Sequence, residues 1–146
     1  MNGKIIALRS YHGKYVVAEK SGLANANRGR VGAWEKFKVE QVGCGSEIAL
    51  KSVAHNKYLV ATSNGYVNAN SGIRGSSETF RLFKVSDFRI ALRSVHGKYV
   101  VAEKDGRLNA NRDRRRSFET FIFDYPQGKF NCFNLLALKE VDLRHL

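Results

Sequence analysis

Histidine, arginine and cysteine are the side chains of this sequence whose spacing could do chemistry. His12, His55 and His96 each open a short His-[Gly/Asn]-Lys-Tyr run, and three histidines could bind a metal ion or titrate near neutral pH. A shared metal demands all three nitrogens within about 2.0–2.1 Å of one ion. Histidines that recur with the chain fall at equivalent ends of separate turns, spread round an axis, so no metal site is expected. Turn stabilisation is the first reading for them, and pH-sensitive binding of a loop ligand the alternative. Cys44 and Cys132 lack a second pair or a histidine at zinc-ligand spacing and are expected as free thiols.

Arginines collect after a repeated Asn-Ala-Asn at Asn25, Asn68 and Asn109: Arg28 and Arg30, then Arg74, then Arg112, Arg114, Arg115 and Arg116. The guanidinium fork suits carboxylates and phosphates. With 25 Lys and Arg against 13 Asp and Glu, the net charge is +12. These seven arginines are therefore expected to form a partner-binding surface, salt-sensitive and drawn to an acidic partner; a merely solvated basic surface is the competing reading. The asparagines are expected to satisfy backbone groups at strand ends. Catalysis is not expected. Gly43 to Ser46 reads Gly-Cys-Gly-Ser where a nucleophile elbow would need Gly-x-Ser-x-Gly, and there is no phosphate-binding glycine loop. Glu19 and Glu103 recur, but the second copy has Thr62 in their place, so no repeated acid accompanies the histidines, and no cofactor is implied.

The elements that must carry these residues follow from a threefold repeat. ALRSYHGKYVVAEK at Ala7–Lys20 and ALRSVHGKYVVAEK at Ala91–Lys104 differ only by Tyr11 against Val95, and ALKSVAHNKYLVAT begins at Ala49. Aligned on Tyr15, Tyr58 and Tyr99, the middle copy has one extra residue before its tyrosine. Alternating apolar residues mark half-buried strands. They pair Ile6 and Leu8, Ile48 and Leu50, and Ile90 and Leu92 in the first strands. In the last strands they pair Phe37 and Val39, Phe80 and Leu82, and Phe121 and Phe123. Two shorter strands lie between, joined by turns at Ser21-Gly22, Asn64-Gly65 and Asp105-Gly106. Four strands in each of three copies predict an all-β chain of twelve strands, a β-trefoil, with the outer strands of each copy forming a six-stranded barrel capped by the hairpins. The repeats span about 5–42, 48–85 and 90–126, within one domain at 1–126. Residues 127–146 form a C-terminal extension expected to pack on that domain, and its Leu135–Val141 looks like Ile5–Tyr11. Trp34 and Phe118 are expected in the core, and the repeated tyrosines at its edge. No stretch has signal-peptide or membrane-span character, so a cytoplasmic protein is expected.

The motifs His12–Tyr15, Ala26–Arg28 and Trp34–Phe37, with His96–Tyr99 and Ala110–Arg112, resemble the H-G-K-Y, A-N-R and W-E-x-F series of the fascin-like β-trefoil family. The resemblance covers roughly residues 4–125. The second copy departs from it with Asn70-Ser71, and the tryptophan position holds Ser77 or Phe118 in the later copies. The resemblance implies a β-trefoil, no catalysis, and binding of actin filaments through basic loops; fascins bundle filaments with several trefoils in tandem, and one is present here. Two other partners stay open. RNA is favoured by the arginine run, although no aromatic platform recurs among the basic loops. A glycan is the lectin-like alternative, although the lectin-type Q-x-W pattern is absent.

Overall fold

A computed structural model describes residues 2–43 and 45–124. Cys44, Cys132 and the 127–146 extension with its Leu135–Val141 segment lie outside the described residues. The first copy holds β1 (Ile5–Ser10), β2 (Tyr15–Ala18), β3 (Ala24–Arg28) and β4 (Phe37–Val42). The second holds β5 (Glu47–Ser52), β6 (Tyr58–Ala61), β7 (Val67–Ser71) and β8 (Phe80–Lys84), and the third β9 (Arg89–Arg93), β10 (Tyr99–Ala102), β11 (Leu108–Arg112) and β12 (Phe121–Asp124). The described residues are all-β, with these twelve strands in one sheet. A three-residue 3-10 turn precedes the last strand of each copy, at Ala33–Glu35, Ser76–Glu78 and Ser117–Glu119. Among the described residues no helix is long and apolar enough to cross a membrane.

Strand pairing explains why the outer strands alternate. β1 pairs with β4, β4 with β5, β5 with β8, β8 with β9, β9 with β12, and β12 returns to β1, all antiparallel. The circuit closes, which satisfies both edges of each of its six strands. All twelve expected core side chains, from Ile6 to Phe123, are buried in one cluster inside it. The phenylalanines Phe37, Phe80 and Phe121 begin the closing strands and are at most 1 % exposed, so they anchor the core at equivalent places.

The remaining hairpins, β2–β3, β6–β7 and β10–β11, interlock through their turns. Gly22 takes φ +96, and its carbonyl accepts the Ala69 N–H at 2.8 Å. Gly65 does the same to Ala110 of the third copy, and Gly106 to Ala26 of the first. A Cβ at these glycines would sit 2.9, 3.0 and 2.8 Å from the Cβ of Asn70, Asn111 and Asn27 respectively. Glycine is thus required twice over, by the left-handed backbone and by the close approach of the next hairpin. Gly13, Asn56 and Gly97 take positive φ in the histidine turns.

Candidate functional site

The histidines are separate, as expected from the repeat. His12 Nε2 lies 3.1 Å from the Ala102 carbonyl, and His96 Nε2 lies 3.1 Å from the Ala61 carbonyl. A carbonyl can only accept, so each ring carries its proton on Nε2 and ties its turn to a hairpin of the preceding copy. His55 Nε2 is buried without a hydrogen-bond partner among the described residues; the extra residue of the middle copy lies in this turn. Each of two rings is also covered by an aromatic: Phe118 lies 4.3 Å from His12 and Trp34 lies 5.0 Å from His55, centroid to centroid. Trp34 and Phe118 are 37 % exposed, so the expectation that they are core residues is corrected: they plug the junctions between copies from the rim. Among the described residues no cluster of three His, Cys, Asp or Glu could hold a metal.

The arginines divide. Arg28 Nη2 donates to both carboxylate oxygens of Glu19 at 2.9 and 3.0 Å and Nε approaches Glu35, while Arg112 repeats this with Glu103 and Glu119. Both are structural. The second copy replaces acid and base together, Thr62 for the glutamate and Ser71 for the arginine; the buried Glu78 there has no ion pair among the described residues, and Ser71 Oγ donates to its Oε2 at 2.9 Å. The asparagines serve the same network. Asn25 and Asn109 donate to Glu19 and Glu103, and Asn27 and Asn111 accept from Arg28 and Arg112. In the first and third copies this corrects the expected backbone-satisfying role: their hydrogen bonds go to side chains, because a carboxylate and a guanidinium beside them bind more strongly than a neutral amide.

Glu35, Glu78 and Glu119 are buried and accept a backbone N–H, from Gly32, Gly75 and Arg116, at 2.6–2.7 Å. They fix the three 3-10 turns. Reasoning from the sequence missed them, although an acid two residues before each anchoring phenylalanine was a visible signal. Tyrosines join copies in the same way. Tyr15 donates to Asp124 and Tyr58 to Glu40, each at 2.8 Å, while at the third position Phe83 replaces the acid and packs 5.9 Å from Tyr99. Burial, then the hydrogen bond to the carboxylate, pushes both donor tyrosines above their ordinary pKa.

Five sequence-selected arginines stay outside the structural pairs just described. Arg74 bonds Glu40 at 2.9 Å, and the Arg115 guanidinium lies over the Phe83 and Tyr99 rings at 5.2 and 6.0 Å. Arg30 is exposed. Arg114 and Arg116 line a cavity of about 570 Å³ with Phe118 and Ser117, beside the structural Arg112. The acids at its wall are engaged. Asp113 is bonded by Lys98, which holds its carboxyl below the usual range, and Glu119 is the turn cap. A second cavity, of about 630 Å³, lies between the Ser76–Glu78 turn and the turn before β10; Arg74, Arg81 and Arg93 line it. Arg81 and Arg93 were not among the residues selected from the sequence, because they lie in strands outside the arginine-rich loops.

A family described as Domain of unknown function (DUF7910) matches residues 40–131, more than half of the chain. The chain belongs to the DUF7910 family. The DUF7910 match begins within β4 and takes in the second and third copies, and with them both arginine-lined cavities. A search of curated proteins gave no match.

Proposed function

We propose that this DUF7910 protein is a non-enzymatic β-trefoil binding module that works in the cytoplasm and grips an acidic protein surface through its third basic loop. The trefoil reading is supported by the closed six-strand circuit and by the cyclic interlock of three hairpins. The observation that carries the binding reading is the pairing of Arg114 and Arg116 with Phe118 around one cavity whose acids are already engaged. Among the described residues neither arginine is in an ion pair, so both forks point to a carboxylate supplied from outside. The half-exposed Phe118 ring adds apolar contact beside them.

The fascin-like motif series favours actin filaments as the acidic surface. Cosedimentation with filaments at two salt concentrations tests this: the protein should pellet at low salt and be released as screening shortens the reach of its charges. Changing Arg114 and Arg116 together to Gln should weaken pelleting by about tenfold or more, if each contributes a charged contact of about 1 kcal/mol. Absence of pelleting at low salt ends the actin reading. A steep salt slope in a gel shift with single-stranded RNA would then transfer the loop to nucleic acid.

A further inference from the structure

Three junctions between copies are built to one plan, and one is left open. Where the first copy meets the second, Trp34 packs edge-to-face with His55 and the Val53 N–H reaches the Lys36 carbonyl at 3.0 Å. Where the third meets the first, Phe118 packs on His12 and lies 5.9 Å from Tyr11, whose ring is covered by the Arg89 guanidinium. Where the second meets the third, the tryptophan position is Ser77 and the Tyr11 position is Val95, and among the described residues no ring stacks on His96. The 630 Å³ cleft lies at this junction, with Ser76 and Thr79 on one wall and Ser94, Val95 and Gly97 on the other.

Its charge is unbalanced. Arg74, Arg81 and Arg93 face one acid, Glu47. Arg74 commits one nitrogen to Glu40, and Arg93 commits Nε to the Gly97 carbonyl at 3.2 Å and lies over the Tyr99 ring. The Arg81 side chain has no hydrogen bond or ion pair among the described residues and is exposed. Arg81 and Arg93 are also direct partners across β8 and β9, and like charges so placed destabilise a sheet unless something neutralises them. The counterpart pair, Lys38 and Lys51 of β4 and β5, presents point charges rather than forks, and Lys51 lies over Tyr58 at a junction holding Trp34.

We propose that this cleft is a binding site for a phosphate group. Three guanidinium forks less Glu47 and the Glu40 that engages Arg74 leave a surplus of about one positive charge, and the exposed Arg81 fork has the geometry that phosphate oxygens accept from. Val42 and Val95 supply apolar wall for whatever carries the phosphate. The site is separate from the Arg114–Phe118 cavity and does not depend on the function assigned there.

Titrating inorganic phosphate, and separately phenyl phosphate, into the protein at constant ionic strength tests the site by amide NMR and thermal unfolding. Saturable shifts are expected at Ser76, Val95 and Gly97, and phosphate at ten times its dissociation constant should raise Tm by roughly 4 °C. Arg81→Gln should weaken binding about tenfold or more, because the Arg81 fork is committed to no hydrogen bond or ion pair among the described residues. Its Tm in chloride alone reports whether the fold is kept, and Arg114→Gln is the unaffected control. Tighter binding of the phenyl ester than of phosphate assigns a phosphorylated ligand seated on the valine wall; equal binding assigns the free anion. Shifts that do not saturate, equal affinity in Arg81→Gln, or shifts centred on Ser117 and Phe118 would overturn the proposal.

Discussion

At the scale of single residues, the copies hold each other through polar pairs whose titration can be read out. Tyr15 and Tyr58 have pKa values raised by burial and by donation to Asp124 and Glu40. A raised phenol means the fold favours the protonated form, so its contribution is complete below the ordinary value of about 10 and disappears as pH rises through the folded value. Urea titrations between pH 8 and 11 should show stability falling above pH 10. The Tyr15→Phe, Tyr58→Phe double variant should be less stable at pH 8 by about 1–3 kcal/mol, and its alkaline fall should be shallower. An equally steep fall would assign the loss to other groups. The linked replacement in the second copy makes a second prediction. Thr62→Glu and Ser71→Arg together should rebuild the pair seen at Glu19 and Arg28, with a favourable coupling of about 0.5–1 kcal/mol in a double-mutant cycle. Coupling of zero would mean that the pair and its loss arose independently.

At the scale of elements, turn glycines differ in what they bear, and substitution should rank them. Gly106 and Gly13 both take positive φ, but a Cβ at Gly106 meets Asn27 Cβ at 2.8 Å, whereas at Gly13 the nearest atom is the end of the Arg9 side chain at 3.7 Å. Gly13→Ala should cost about 1–2 kcal/mol, the left-handed penalty alone. Gly106→Ala must also push two hairpins apart and should cost about 2 kcal/mol more. Equal losses by denaturant unfolding would show that the hairpins do not interlock. These turns and the outer strands were legible in the sequence because Xaa-Gly pairs and period-two alternation are local signals: Ile6 and Leu8 announce β1 without knowledge of any partner. The 3-10 turns were not legible in that way. Three residues carry no period, and what fixes Ala33–Glu35 is a buried carboxylate bonded to a backbone N–H. The asparagines show the complementary case: their structural role could be read, but the acid partner could not, because Glu19 meets Asn25 only once β2 and β3 have paired.

At the scale of the whole molecule, similarity among the copies sets the frame, and the departures from it create the candidate sites. The seven loop arginines look alike in the sequence, yet Arg28 and Arg112 are neutralised within their own copy and Arg74 by a carboxylate of the preceding one. Which cations stay available is decided by contacts made on folding, within a copy for Arg28 and Arg112 and between copies for Arg74, so it could not be read from charge clustering. The +12 balance nevertheless acts on the whole. Self-repulsion of a compact cationic body opposes folding, whereas attraction to an acidic partner assists binding, and salt screens both. The two observables should therefore move in opposite directions. Between 20 and 300 mM sodium chloride, approximate bounds that take the Debye length from roughly 20 Å to about 6 Å, Tm should rise while filament pelleting falls. Chloride is used because phosphate would also fill the cleft beside Arg81. If Tm fell together with binding, the ion pairs at Glu19, Glu40 and Glu103 would outweigh the repulsion, and the surface charge would be better described as part of the fold than as a reservoir for partners.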